Sequence, residues 1–229
     1  MHELDKLVVL LKAAGVSGVM ERKDILPEWE VCVSGANGAN IVNALRDSHP
    51  KAIIITLCAG CRFRQKQWGL ANYAETIRLL AKFFPKIIVI IIGSDSERSL
   101  LGQILSMLSS AENVHCVNMA GGLSILESIE VIRNSDLCVG NDTFGLHAAI
   151  AVGTQSVVVM WSGDPDAWIP WGDPRRHRMI RAEVPCAGCY GECMQKDVYC
   201  LQKIKPSQLA AEIANMLWDS SLLNKMQKV

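Results

Sequence analysis

The 229-residue sequence has no net charge, no long apolar run and no standard dinucleotide fingerprint, and each absence excludes something. Its 23 basic and 23 acidic residues cancel, so it lacks the basic footprint of a nucleic-acid binder. A neutral total still allows a local anion site in one cleft. The longest apolar run, Ile87 to Ile92, is a strand's length and far short of the roughly 20 residues that span a bilayer. The opening MHELDKLVVLLKAAG carries Glu3, Asp5 and Lys6 and reads as an amphipathic helix, not a secretory signal. A cytoplasmic location is expected, at or near the inner face of the membrane. No GxGxxG opens the first strand–helix unit, which argues against a standard NAD site. There is no internal repeat, low-complexity tract or clear interdomain linker.

Apolar residues are plentiful, at 50% of the chain, enough for a sizeable core at this length. Continuous apolar runs predict strands buried on both faces at 52–57, 86–93, 114–118, 137–139 and 156–161, with a last short strand at 178–181. Helical spacing falls between them, at 70–84, from Ser94 or Ser96 to 110, near 124–134, at 144–152 and at 206–218. Ser124 and Glu127 have the spacing of a capping box. The alternation predicts an α/β, Rossmann-like domain, a mostly parallel sheet with helices on both faces. Residues 1–50 fit least well. They are expected to form a linker-like helix over 4–14, a further helix over 36–45 and an edge strand within 25–33, with the domain proper at 51–229.

The chain is organised around the stretch from Asp136 to Gly153. A short strand runs through the turn Gly140–Thr143 into an Ala-rich helix. In open α/β sheets ligands bind at the carboxyl ends of strands. A helix N-terminus offers unpaired N–H groups and a positive dipole end to a phosphate. Asp142 or Thr143 is either a helix cap or part of such a site, and His147 is either a core histidine or a group facing the same ligand one turn later. Asp142 could equally accept from a sugar hydroxyl. Arg62, Arg64 and Lys66 follow the strand at 52–57, either as a solvated loop or as cations on the same rim, where they would stabilise a leaving diphosphate. Glu97 opens its helix either as a dipole complement or as a ribose ligand.

Nine cysteines is a high count for a reduced compartment. Cys32, Cys58, Cys116 and Cys138 lie in or beside apolar segments and read as small core residues. Cys186, Cys189, Cys193 and Cys200 are spaced C-x2-C-x3-C-x6-C. Four thiols so close suggest one structural zinc; an iron–sulfur cluster, disulfides or free thiols are the alternatives.

Taken together, Cys58–Trp68, Gly93–Glu97, Gly140–His147, Val157–Trp161, Ser162–Trp168, Pro170–Gly172 and Cys186–Cys200 resemble, in order, the motifs of the C-terminal half of glycosyltransferase family nine, which contains the lipopolysaccharide heptosyltransferases. The resemblance covers about residues 50–218. It implies the donor-binding half of a two-domain GT-B enzyme. Such an enzyme inverts the anomeric centre without a metal, in bacterial surface glycan or lipopolysaccharide synthesis, and needs no cofactor for catalysis. The donor would be a nucleotide-diphosphate sugar. A glycan or lipid-linked acceptor, and the general base, would belong to an N-terminal domain missing here. By resemblance, Lys66 and His147 are the catalytic residues. Gly60, Cys61, Lys66, Glu97, Asp142, Thr143, Phe144 and His147 would bind the donor: Lys66 at its phosphates, Glu97 at the ribose and Asp142 at the transferred sugar. Two positions depart from the family pattern, Phe144 where Gly is usual and Cys61 where Ser or Thr is. The rival reading is a non-catalytic nucleotide- or partner-binding module with a structural zinc.

Overall fold

The computed structural model describes residues 3–18, 37–163, 172–189, 193–195 and 197–219. The expected edge strand within 25–33, Cys32, Trp168 and Pro170 lie outside them. The described chain runs α1 (Glu3–Ala13), α2 (Gly38–Ser48), β1 (Ile53–Cys58), α3 (Leu70–Leu80), β2 (Ile87–Ile91), α4 (Arg98–Leu108), β3 (Val114–Asn118), α5 (Ile125–Asn134), β4 (Leu137–Asn141), α6 (Phe144–Ala151), β5 (Ser156–Val159), β6 (His177–Ile180), α7 (Tyr199–Lys203) and α8 (Pro206–Asp219). The six strands form one sheet in the order β3-β2-β1-β4-β5-β6, and every pairing is parallel.

The four inner strands are buried along their whole length because both faces of the sheet are covered there, whereas the edge strands β3 and β6 are only partly buried and carry polar residues. The expectation that 114–118 is buried on both faces fails because β3 has a neighbour on one side only. On β1, Ile53, Ile55 and Leu57 join the core formed with α3, α4 and α8. Ile54 and Cys58 join the opposite core, with Val42 of α2, Val131 and Ile132 of α5 and Ala148 of α6. Buried hydroxyls find partners, as they must: Thr56 Oγ1 and Ser135 Oγ lie 2.7 Å apart across the second core.

Helix α2 falls in the segment expected to be linker-like, yet it packs along α5. Val42 on it is fully buried, and Arg46 pairs with Asp136 at the start of β4 at 3.1 Å. Helix α1, by contrast, buries Val8 and leaves Leu7, Val9 and Leu10 half or more exposed.

Chain order reverses between β1 and β4, which lie side by side with Cys58 opposite Gly140. From β1 the chain proceeds outward through β2 to β3, and from β4 outward through β5 to β6. Loops leaving the carboxyl ends of β1 and β4 therefore diverge to opposite faces and open a crevice between them, the position where ligands bind in open α/β sheets.

Candidate active site

A cavity of about 740 Å³ opens at this crevice. Four turns build it: 58–66 after β1, 92–97 after β2, 123–128 at the start of α5 and 142–145 at the start of α6. Gly60, Cys61, Lys66, Glu97, Asp142, Thr143 and Phe144, distant in the chain, all line it.

The charged centre of the cavity is a pair. Lys66 Nζ donates to Asp142 Oδ2 at 2.6 Å, with the Asp142 side chain 3% exposed and that of Lys66 21% exposed. Asp142 is thus a partner for the lysine. Lys66 ends a 3-10 turn, Arg64–Lys66, and also lies 5.7 Å from the centre of the Trp161 ring.

Asn141, which the motif reading passed over, fixes the geometry around that pair. Its Nδ2 donates to the Ala59 carbonyl at 2.7 Å. Its Oδ1 accepts from the Tyr73 hydroxyl at 2.8 Å and from the Trp68 N–H at 3.3 Å. One buried amide so ties the end of β4 to the loop after β1 and to α3. Its polar capacity is well used, which keeps such a group from destabilising the core.

Glu97 is held by its own turn. The Ser94 N–H and Ser94 hydroxyl both donate to Glu97 Oε2, at 2.9 and 2.6 Å. Its other oxygen, Oε1, faces Gly60, where a Cβ would stand only 2.4 Å away. A side chain at position 60 would therefore displace the Glu97 carboxylate from its present place.

The start of α6 supplies the cavity's electropositive wall. The first N–H groups of a helix lack partners within it and carry the positive end of the dipole. This end comes close to β1 because residue 145 is glycine: a Cβ there would lie 2.2 Å from Cys58 Sγ. Thr143 precedes the helix in an extended conformation and makes no side-chain cap. Phe144, 46% exposed, and Gly145 complete the wall on this side. His147 does not line the cavity. It is half-buried, one turn farther along α6.

Burial pushes the Cys61 thiol above its ordinary value, outweighing the backbone hydrogen bond at Phe63 and the charge of Lys66. A thiol so placed is not a poised nucleophile, since the thiolate is the reactive form.

The four clustered cysteines also converge. Cys186, Cys189, Cys193 and Cys200 line one narrow cavity together with Gln65 and Trp161. As placed, among the described residues no three His, Cys, Asp or Glu side chains stand where they could hold a metal ion. Their burial is unequal. Cys186 is exposed in a turn, while Cys200 is buried on α7 and its sulfur accepts the Ser162 N–H at 3.5 Å.

Comparison with known proteins adds a family to this geometry. The family model described as glycosyltransferase family 9 (heptosyltransferase) matches residues 20–198. Lipopolysaccharide heptosyltransferase 2 of Salmonella typhimurium is 27% identical over 129 residues, covering 56% of this chain and 36% of that protein. Among solved structures, the E. coli ADP-heptose LPS heptosyltransferase II superimposes with a TM-score of 0.65 at 21% identity, over 82% of this chain and 53% of that one. The family 9 glycosyl transferase of Veillonella parvula gives 0.74 at 15% identity, over 96% and 60%. This chain spans less than half the length of the curated relatives it matches.

Proposed function

The chain belongs to glycosyltransferase family 9, the heptosyltransferase family, and on that premise we propose that its cavity is the nucleotide-sugar donor site of an inverting glycosyltransferase of bacterial lipopolysaccharide or surface glycan synthesis. The observation that carries this reading is the Lys66–Asp142 pair at 2.6 Å, set beside the first turn of α6 in a cavity of about 740 Å³. The donor's diphosphate would lie between Lys66 and the α6 N-terminus, its ribose against Glu97 and its sugar against Asp142.

An acceptor hydroxyl would attack the anomeric carbon from the face opposite the diphosphate. As the new carbon–oxygen bond forms, the bond to the diphosphate breaks and its electron pair leaves with the phosphate oxygen. The hydroxyl proton passes to a base outside the residues described here. Lys66 and the α6 N–H groups receive the developing negative charge, the kind of preorganised stabilisation that dominates many enzymatic rate enhancements. That charge then needs no metal ion to receive it. The cysteine segment takes no part in the chemistry, and the metal content of the purified protein tests its zinc reading separately. The first donor to try is ADP-heptose, which the name of the E. coli relative supplies.

Isothermal titration calorimetry of the chain with ADP-heptose, and with ADP, UDP and GDP, tests the proposal. Saturable binding of one of them, weakened 10-fold or more in Lys66→Ala, is the expected result; about 1.5–3 kcal/mol is the usual scale of a hydrogen bond to a charged group. Equal binding by the variant would sink the assignment of Lys66 to the diphosphate.

A further inference from the structure

The 3-10 turn Arg64–Lys66 stands between two cavities, and its three residues reach three different places. Arg64 approaches Asp197 at 3.6 Å, Gln65 lines the cavity of the four cysteines, and Lys66 enters the donor cavity. Trp161 belongs to both surroundings. It lines the cysteine cavity, and its ring lies 5.7 Å from Lys66 Nζ, within the range of cation–π attraction. The ring is held firmly: it is 8% exposed, and it packs against Gly163 so closely that no Cβ would fit there.

Lysine carries a compact charge on a flexible stem with about 2 kcal/mol of rotamer entropy. In the free chain Asp142 anchors it. A carboxylate, however, offsets the very charge that a diphosphate would seek, and the proposed sugar contact draws on the same carboxylate. An aromatic face holds an ammonium without neutralising it. We infer that Trp161 is the positioning residue for Lys66, keeping the ammonium aimed at the diphosphate without neutralising it, and that the cysteine-rich segment is the wall that keeps Trp161 in place. This inference rests on the donor-site reading above.

The test is a double-mutant cycle on the whole chain, read by calorimetry with the tightest binder among ADP, UDP and GDP, and with its nucleoside as a phosphate-free control. Trp161→Leu is expected to weaken the diphosphate by about 5- to 10-fold and the nucleoside hardly at all, the scale of one partly desolvated cation–π contact. Trp161→Phe should restore much of the loss. In the Lys66→Ala background Trp161→Leu should have no further effect. A polyfluorinated tryptophan placed at 161 keeps the packing and removes the ring's attraction, so it should weaken the diphosphate even if the leucine variant folds poorly. Additive losses, equal losses for the nucleoside, or full affinity with the fluorinated ring would each overturn the inference while leaving the donor site standing. No binding by any of the three diphosphates, or full affinity in Lys66→Ala, would overturn the donor reading and the inference with it.

Discussion

A lysine and a carboxylate that share a buried rim stabilise each other chiefly by what would happen if either were alone. Asp142 is nearly inaccessible, and removing its partner leaves a desolvated charge, which typically costs several kcal/mol. Lys66→Ala is therefore expected to lower stability by about 3 kcal/mol in urea unfolding. Lys66→Ala with Asp142→Asn should recover most of that, because no charge is then stranded. His177 makes a second residue-level prediction. Burial, and then the neighbouring Arg176, push its imidazole down to about 4 from 6.5, against an opposing pull from Asp173. Between those values the unfolded chain binds the proton and the folded chain does not. Stability from this group is therefore complete above pH 6.5 and is lost as pH falls toward 4, by about 3 kcal/mol in all. Denaturation midpoints across that window should slope accordingly, and His177→Gln should flatten the slope. Asp173, held near 2 by Arg175, titrates below this window. At this scale the residue types of the cavity could be read from sequence, but the partner of Asp142 could not. Nothing local to Gly140–Thr143 shows that a side chain 76 positions earlier fills the space. Asn141 was overlooked for the same reason, since all three of its partners lie in other elements.

The elements owe their positions to close approaches as much as to propensity. Helix α6 can bring its N-terminus to the end of β1 only because Gly145 has no Cβ to meet Cys58. Gly145→Ala should overpack this contact and cost about 1–3 kcal/mol, seen as a lower urea midpoint, with weaker nucleotide binding as the helix end withdraws. Helix starts were legible where a local motif carries them. Ser124 and Glu127 form the expected capping box, with the Ser124 N–H donating to Glu127 at 2.8 Å and the Glu127 N–H donating to Ser124 at 3.2 Å. The turn at Arg64–Lys66 and the five-residue α7 were not, because so few residues carry no period. The cysteine segment shows the other limit of pattern reading. Spacing counts possible ligands and here does bring all four thiols to one cavity, but it does not show that they close on a metal ion, and Cys186 is exposed while Cys200 is buried.

At the scale of the whole molecule, the parallel sheet followed from apolar runs alternating with helical periods, because a strand covered on both faces has no polar side to show. The order β3-β2-β1-β4-β5-β6 is a tertiary fact that no run of residues encodes alone, and it is what brings Lys66 and Asp142 to one crevice. The packing of α2 on α5 was hidden for a related reason: its composition resembles any surface helix until its neighbour is known. The central claim is that the crevice binds a nucleoside diphosphate through Lys66. It is tested most directly by thermal unfolding of the chain and of Lys66→Ala with ADP, UDP and GDP, each compared with its own ligand-free transition. A ligand at 100 times its dissociation constant should stabilise the fold by about 2.7 kcal/mol. The account predicts an upward shift with at least one nucleotide, largely abolished in the variant. An unchanged transition with all three, or an equal shift in the variant, would contradict it.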